Sequence, residues 1–331
     1  MLKPALYSLI ILALLWLALW LVAQRAERAA EAAAPARGDI ITVNGSPMHV
    51  VVTGAPDGPD LVLIHGSNGH TRDMSFFALA AKLAPTYRIF MVDRPGLGYS
   101  AAIDPKGDSL RAQAAQFSAA ATAMGAKKPI VVGHSYGGSV ALAWATYEPE
   151  SLSALVLLAA ASHPWDTPLD PLYRAGSNPL LGPVFLPLLP AVITEPYLEA
   201  ALTNVFAPDP VPAGYFDYFG PKLSLRYTSM RATSLQRANL LNEINAMVPL
   251  YPQVNLPVEI LHGTQDITVG LQIHAEPLLQ DLPNAVLTRV EGHGHMVQHS
   301  AEDQVVAAIG RAATRSGLRA AAEAAIVSEN Q

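Results

Sequence analysis

The chain has 331 residues, of which 51% are hydrophobic and 15% are charged, with 21 lysines and arginines against 27 aspartates and glutamates. A net charge of −6 leaves no basic excess for binding a phosphate backbone, which argues against a nucleic-acid partner. The chain contains no cysteine, so disulfides, thiol nucleophiles and cysteine-ligated zinc or iron–sulfur sites are excluded.

The first predicted element is an apolar helix. Residues 5–23 carry no charge, and a helix of that length spans roughly 30 Å, the thickness of a bilayer's hydrocarbon core. Trp16 and Trp20 lie towards its far end, where amphipathic rings favour an interface. We therefore predict a single-pass membrane anchor and a tether within residues 1–37. The alternatives are a buried helix and a signal peptide cleaved near the small residues 30–36, which leaves a secreted or periplasmic protein.

From residue 39 the pattern changes to short β-rich runs that alternate with amphipathic helices. Asn44-Gly45 predicts an opening hairpin, and the later runs are nearly continuously apolar, as is typical of parallel strands covered on both faces. The predicted strands are 40–43, 48–53, 61–64, 88–92, 130–132, 154–158, 258–261 and 286–290. The predicted helices are 74–83, 109–124, 136–147, 271–282 and 301–314. This order predicts an α/β fold whose eight-stranded, mostly parallel sheet has helices on both faces.

Residues 162–250 break this alternation. Of the 27 prolines, 12 lie between Pro164 and Pro221, and proline at that density prevents long strands and breaks helices. We predict a helical, proline-rich cap over the carboxyl ends of the strands, where open α/β sheets bind ligands. The predicted core is therefore formed by residues 38–161 together with 251–315. Residues 162–250 form the predicted cap insertion, and residues 316–331 form a C-terminal tail.

A nucleophile motif follows the predicted strand 130–132. Gly133-His134-Ser135-Tyr136-Gly137 is G-x-S-x-G between a strand and a helix, the setting that gives this motif meaning. The glycines permit a tight turn that leaves Ser135 strained and exposed. Its hydroxyl would then lie at a helix N-terminus, where the Tyr136 N–H can stabilise an oxyanion. The motif predicts Ser135 as the nucleophile, with a purely structural glycine turn as the alternative.

With this motif the sequence resembles the α/β-hydrolase superfamily, and the resemblance covers about residues 39–315. The strand and turn that end in His65-Gly66-Ser67 resemble those that supply a second oxyanion donor, which the resemblance assigns to the backbone N–H of Ser67. Asn68 and Gly69 are the less favoured alternatives. Residues 93–100, DRPGLGYS, resemble the superfamily's D-x-P-G-x-G-x-S loop. The glycines of that loop do not have the spacing of a dinucleotide fingerprint, so we expect no nucleotide cofactor.

An acid and a base are predicted downstream of the serine. A serine hydroxyl needs an imidazole to remove its proton and an acid to orient that imidazole, and hydrolases of this fold place them in the order Ser, Asp or Glu, His. Asp266 follows the predicted strand 258–261 and is the predicted acid, with a turn or capping aspartate as the alternative. His295 lies between Gly294 and Met296, which matches the superfamily pattern, so it is the predicted base. His293 also follows a glycine and is the alternative base.

The histidines of this region also raise the question of a metal site. Three of them lie within seven residues, but a hydrolytic zinc site needs further ligands, and a serine–aspartate framework makes a metal redundant. We therefore expect neither a metal nor any other cofactor. His299 is expected to be a polar surface residue. His134 is expected to be part of the scaffold, and His65 to hydrogen-bond within the oxyanion turn.

Together these expectations predict a serine hydrolase that cleaves carboxylic esters through an acyl-enzyme, with Ser135, Asp266 and His295 as the triad. A membrane anchor beside an apolar cap suits an apolar small-molecule ester derived from lipid, such as a monoacylglycerol. A carbon–carbon bond hydrolase and a cofactor-free haloperoxidase-like enzyme are alternatives within the same fold. A non-catalytic binding scaffold is the alternative from another class.

Overall fold

The computed structural model of the protein describes residues 2–103 and 109–318, so most of the predicted tail, 319–331, lies outside the described residues. The strands are β1 (Asp39–Val43), β2 (Ser46–Gly54), β3 (Asp60–Ile64), β4 (Arg88–Val92), β5 (Ile130–His134), β6 (Ala154–Leu158), β7 (Val258–Gly263) and β8 (Ala285–Val290). They form one sheet in the order β1-β2-β4-β3-β5-β6-β7-β8. β2 pairs antiparallel with β1 and β4, and all other neighbours are parallel. The predicted α/β fold is confirmed.

Helices cover both faces of this sheet. They are α1 (Leu2–Ala33), α2 (Thr71–Met74), α3 (Phe77–Leu83), α4 (Leu110–Ala123), α5 (Tyr136–Tyr147), α6 (Pro171–Ser177), α7 (Gly182–Phe185), α8 (Leu189–Val192), α9 (Glu195–Phe206), α10 (Tyr215–Phe219), α11 (Tyr227–Met247), α12 (Ala275–Asp281), α13 (Val297–Ser300) and α14 (Glu302–Arg315). Side chains alternate between the faces of a strand. Val131 accordingly packs in the cluster that includes Trp144 of α5, whereas Val132 packs with Ile309 of α14. Burial on both faces explains why the central strands are continuously apolar.

Between β6 and β7 the chain is helical, as the proline content predicts. From α6 to α10 the helices are short, and several begin at prolines, which suit the first turn because they need no N–H partner there. Asp170 caps α6 by accepting a hydrogen bond from the Leu172 N–H. The 21-residue helix α11 contains no proline and is correspondingly long. Residues of this segment contact the loops that follow the carboxyl ends of β3 and β8, through Asn68 and His293, and we refer to residues 162–250 as the cap.

Helix α1 is longer than the predicted membrane span. It continues beyond the apolar run to Ala33, so most of the segment expected to be a tether is helical. Alanine has the highest helix propensity, and Ala23, Ala30 and Ala34 are also buried, so packing adds to propensity. Within residues 2–103 and 109–318, α1 is the one continuous helix that is long and apolar enough to cross a membrane.

The second half of α1 is bonded to the cap. The Trp16 Nε1 donates to the Val184 carbonyl oxygen over 2.8 Å. One turn beyond the apolar run, a Glu27 carboxylate oxygen accepts the Tyr227 N–H at the start of α11, also over 2.8 Å. Glu31 forms a 2.8 Å ion pair with the buried Arg226 of the cap. The helix is therefore a packed part of the globular structure along its second half.

Candidate active site

Ser135 occupies the turn between β5 and α5. Its φ of 53° and ψ of −120° lie outside the regions that a residue with a side chain normally adopts, so the turn is strained. The turn is held because the Ser135 N–H donates to the Leu158 carbonyl oxygen on the neighbouring strand over 2.9 Å. Glycine is required at Gly137, since a Cβ there would collide with the carbonyl oxygens of Ile64 and His65. The strand–turn–helix geometry predicted around Ser135 is therefore present.

Asp266 lies in the loop after β7, and its two carboxylate oxygens have different partners. Oδ1 accepts the N–H groups of Thr268 and Val269, each over 2.8 Å, which is the turn role considered for it. Oδ2 lies 2.8 Å from His295 Nδ1 and 3.2 Å from His262 Nε2. Burial alone would raise the pKa of Asp266, but hydrogen bonds from His262 and His295 hold it well below its usual range. The carboxylate is therefore ionised.

His295 lies in the loop between β8 and α13, directly beside the nucleophile turn. Because Asp266 is ionised and can only accept, His295 Nδ1 carries the proton and Nε2 is left with a lone pair. The His295 ring lies 4.8 Å, between centroids, from the ring of His134, the residue before Ser135. His134 Nε2 also donates to the His295 carbonyl oxygen over 3.1 Å. Burial and the neighbouring His295 lower the pKa of His134 to about 3, so His134 is neutral.

The three histidines of the last loop contact three different carboxylates. His293 Nδ1 lies 2.8 Å from Asp209 of the cap, His295 is bonded to Asp266, and His299 Nε2 lies 2.7 Å from Asp73. In the part of the chain that the structure describes, no group of three histidine, aspartate or glutamate side chains is placed to hold a metal ion.

The prediction of His299 as a surface residue is wrong. Its ring is buried because α13 packs it among aromatic side chains of the cap, including Phe206 and Tyr215. Asp73, which faces it, also accepts the Tyr215 hydroxyl over 2.8 Å. Burial alone would raise the pKa of Asp73, but the hydrogen bond from His299 lowers it well below its usual range. The sequence reading missed this pair because Asp73 lies 226 residues away.

The turn after β3 lies against Ser135 because β3 is the neighbour of β5 in the sheet. A Cβ on Gly66 would lie only 3.2 Å from the Ser135 Cβ, so the two turns are in contact and Ser67 follows at this point. His65 Nε2 accepts the Arg94 N–H over 2.9 Å, so the Nδ1 proton is donated to the Gly66 carbonyl oxygen, also over 2.9 Å. The prediction that His65 hydrogen-bonds within this turn is confirmed.

Arg94 contributes to this turn in a way that the sequence reading missed. Its side chain is fully buried, and Nη2 donates to the Gly66 carbonyl oxygen over 3.1 Å. Nη1 donates to Gln236 over 2.7 Å, and the guanidinium carbon lies 4.2 Å above the centroid of the Tyr136 ring. No local pattern could reveal these contacts, because Gly66 and Gln236 lie 28 and 142 residues away from Arg94.

The cap closes over this region. The side-chain amide of Asn68, in the turn after β3, donates to the Tyr173 hydroxyl over 2.7 Å. The backbone carbonyl oxygen of Asn68 accepts a hydrogen bond from the Ser224 hydroxyl over 2.6 Å. Phe219 of α10 stacks on the His70 ring at 4.5 Å. The expectation that the turn leaves Ser135 exposed is wrong, because the cap covers it. Only 9% of the Ser135 surface is exposed, so this is a closed arrangement of the site.

Comparison with known proteins agrees with this fold. A family described as "Alpha/beta hydrolase family" matches residues 61–308, and the chain belongs to that family and is a hydrolase. The putative carbamate hydrolase RutD of Pseudomonas syringae is 27% identical over 248 residues, which cover 72% of this chain and 87% of RutD. Among solved structures, a thermophilic esterase from Thermogutta terrifontis matches with a TM-score of 0.67 and 20% identity, covering 85% of this chain and 99% of the esterase. A bacterial membrane phospholipase A matches with a TM-score of 0.60 and 20% identity, covering 94% of this chain and 99% of the phospholipase.

Proposed function

We propose that the protein is a serine hydrolase that cleaves carboxylic esters, with Ser135, Asp266 and His295 as its catalytic triad. The observation that carries the proposal is the buried, ionised Asp266 bonded to His295, whose ring lies against the residue before a strained serine. The combination of a nucleophile, a base and a group that orients the base is the requirement for an activated serine.

In this proposal His295 Nε2 removes the Ser135 proton while the serine oxygen attacks the ester carbonyl carbon. The backbone N–H groups of Ser67 and Tyr136 stabilise the negative oxygen that forms. The imidazolium then gives its proton to the leaving alcohol, and the acyl group stays on the serine. A water molecule, deprotonated by the same imidazole, releases the acid and restores the serine. Asp266 keeps the imidazole in the required tautomer throughout.

We further propose that α1 is an uncleaved, single-pass anchor and that the substrate is an apolar, lipid-derived ester such as a monoacylglycerol. Cleavage near residues 30–36 would remove Glu27 and Glu31 and leave the buried Arg226 without its carboxylate. The packing of α1 therefore favours retention over a signal peptide. An anchor beside an apolar cap places the site next to substrates that partition into the membrane.

Hydrolysis of p-nitrophenyl esters from acetyl to palmitoyl, with the full chain in detergent, tests the enzymatic part. We expect turnover that rises with acyl length and that Ser135→Ala abolishes. Ser139→Ala is the matched control, because that buried serine lies one turn along α5 and its hydroxyl donates to the Ala161 carbonyl oxygen. A fully active Ser135→Ala would overturn the triad. Turnover of a p-nitrophenyl carbamate in preference to every ester would move the substrate class towards that named for the RutD relative.

The mass of the mature protein, purified from a membrane fraction, tests the anchor. We expect the intact N-terminus in the membrane fraction, resistant to extraction by high salt and alkali. A soluble protein that begins after residue 30 would show that the segment is a cleaved signal peptide.

A further inference from the structure

Helix α1 consists of two parts with different surroundings. Residues 3–15 are exposed on every side, whereas the helix packs against the cap from Trp16 onwards. Thirteen residues at the helical rise are only about 20 Å long, too short for a hydrocarbon core of about 30 Å. If α1 crosses a bilayer, the hydrocarbon layer must also include Trp16 to Val22, the last large apolar stretch before Gln24 and Arg25.

The cap lies beside α1 at this level. The contact between Trp16 and the Val184 carbonyl oxygen fixes the cap relative to the helix, and α8 also packs against α1. Trp16 to Val22 rise by about 10 Å, so the neighbouring part of the cap lies up to that depth inside the apolar layer.

The composition of the cap at this point matches such an environment. Residues 175–194, AGSNPLLGPVFLPLLPAVIT, contain no charged side chain. Several large apolar side chains of this segment are exposed to an extent that water disfavours. They are Leu180 at 79%, Leu181 at 56%, Val184 at 55% and Val192 at 50%. The charges resume at Glu195, whose exposed ion pair with Lys222 lies at the edge of the segment.

We propose that residues 178–194 of the cap are immersed in the hydrocarbon layer of the bilayer, alongside Trp16 to Val22. The inference rests on the proposed anchor. Helix α6, which precedes the immersed segment, carries Tyr173, whose hydroxyl is bonded to Asn68 beside the site. The immersed segment is therefore joined through α6 to the turn that lies beside Ser135.

Single-cysteine labelling tests the immersion directly, because the chain contains no cysteine of its own. Three single-cysteine variants of the full chain are made: Leu180→Cys, Leu12→Cys and Glu150→Cys. Each variant is labelled with the environment-sensitive fluorophore NBD and reconstituted into phosphatidylcholine vesicles. Leu12 is 61% exposed within the span, and Glu150 has an exposed carboxylate at the opposite end of the sheet. We expect the labels at 12 and 180 to be blue-shifted and quenched by brominated lipids, and the label at 150 to be neither.

Bromine position adds a measure of depth. Quenching of the label at residue 180 should be strongest with lipids brominated near the headgroup. Quenching of the label at residue 12 should be strongest with lipids brominated near the end of the acyl chain. Quenching at 12 without quenching at 180 would overturn the immersion while leaving the anchor intact. Quenching at neither position would overturn both, whatever the esterase assay gives.

Arg94 carries a second inference from a separate observation. The guanidinium is fully buried, its Nε has no hydrogen-bond partner, and no carboxylate in residues 2–103 and 109–318 lies within 4.0 Å of it. A buried charge is normally paired, because desolvation penalises an isolated one. Burial lowers the pKa of Arg94 only to about 10, so it stays charged at neutral pH.

The Gly66 carbonyl oxygen accepts a hydrogen bond from this charged guanidinium. It accepts from Arg94 Nη2, His65 Nδ1 and the Gly69 N–H, at distances between 2.9 and 3.2 Å. The peptide that joins Gly66 to Ser67 is planar and trans, so its N–H points away from these donors. Hydrogen bonds to a peptide oxygen also polarise the N–H at the other end of the unit.

We infer that Arg94 is a positioning residue whose unpaired charge orients and polarises the Gly66–Ser67 peptide, so that the Ser67 N–H binds the oxyanion more strongly. The inference rests on the proposed serine mechanism. It explains an unpaired cation beneath the site, since a carboxylate beside Arg94 would cancel the field at the turn.

A counter-charge provides the test. Gln236→Glu places a carboxylate where the Gln236 Oε1 now accepts from Arg94 over 2.7 Å. We expect kcat to fall about tenfold, part of the 10²–10³ that a whole oxyanion donor contributes. The KM should be unchanged and the melting temperature not lowered. Affinity for a trifluoromethyl ketone, which forms an oxyanion when Ser135 adds to it, should fall in parallel with kcat.

A purely structural Arg94 predicts a different result. Pairing the buried charge would then leave kcat and ketone affinity unchanged, and that outcome overturns the inference. If Gln236→Glu does not fold, Gln113→Glu introduces the carboxylate at the second amide, 3.4 Å from Nη1. If the Ser135→Ala variant is as active as wild type, the proposed function itself is overturned.

Discussion

The sheet core and the cap are built on opposite principles. Strands β5 and β7, which precede Ser135 and Asp266, are held by backbone hydrogen bonds to neighbours on both sides and are buried along their whole length. Strand β8, which precedes His295, is an edge strand that pairs with β7. The cap between β6 and α11 consists of short helices separated by prolines, and it leaves large apolar side chains exposed. The difference teaches that the sheet satisfies its backbone and its apolar side chains internally, whereas the cap presents apolar side chains to its surroundings.

The largest expected effect concerns the sheet core. Asp266→Asn should lower kcat by about 10⁴-fold, because an amide does not hold His295 in the required tautomer. The matched control is Asp209→Asn, which changes the equivalent bond to His293 and should leave kcat near wild type. Ester turnover of the two purified variants measures this. If Asp209→Asn is the inactive variant, His293 is the base.

A matched pair of leucines compares the two regions in stability. Leu157 is fully buried in β6, and its replacement by alanine should lower the free energy of unfolding by about 2–5 kcal/mol. Leu181 is 56% exposed in the cap, so Leu181→Ala should change the free energy of unfolding by less than about 0.5 kcal/mol in detergent. Urea unfolding followed by circular dichroism measures both. Equal losses would contradict the contrast between the two regions.

The contact between the regions is sensitive to acid. The pKa of Asp73 is lower in the folded protein than in the unfolded chain, so its stabilisation is fully present above the unfolded pKa, near 4, and is lost as the pH falls through the folded value. We expect Asp73→Asn to be less stable than wild type at pH 7 and the gap to narrow below pH 4. Urea midpoints across the pH range measure this, and a gap that widens in acid would contradict it.

The smallest expected effect is at the junction of α1 with the cap. Glu31 is 44% exposed, so solvent screens its pair with Arg226, and Glu31→Gln should cost about 0.5 kcal/mol or less. Thermal unfolding in detergent at low and high salt measures the difference, which should shrink with added salt. A salt-independent loss would show that shape and packing, rather than charge, hold the helix to the cap.

The sequence alone predicted those parts of the molecule that depend on local pattern. The opening hairpin followed from the Asn44-Gly45 turn signal, the other six strands followed from apolar runs, and the Ser135 turn followed from glycines that permit close approach. Asp266 was predicted because it lies at the carboxyl end of a parallel strand, and His295 because it matches the superfamily's pattern of glycine, histidine and an apolar residue. Contacts between distant segments could not be predicted. The bond between His299 and Asp73, the environment of Arg94 and the packing of α1 all depend on side chains brought together only by the folded cap.

The end of α1 has a practical consequence for preparing a water-soluble fragment. The Tyr99 hydroxyl of the core donates to the Ala34 carbonyl oxygen over 2.8 Å, while Glu31 pairs with Arg226 of the cap. A chain that starts at residue 36 loses both contacts, and with them the segment that joins the core to the cap. A chain that starts at Gln24 lacks the apolar run but keeps both contacts. The place to cut therefore lies at the first polar residue after the apolar run, about two and a half turns before the helix ends.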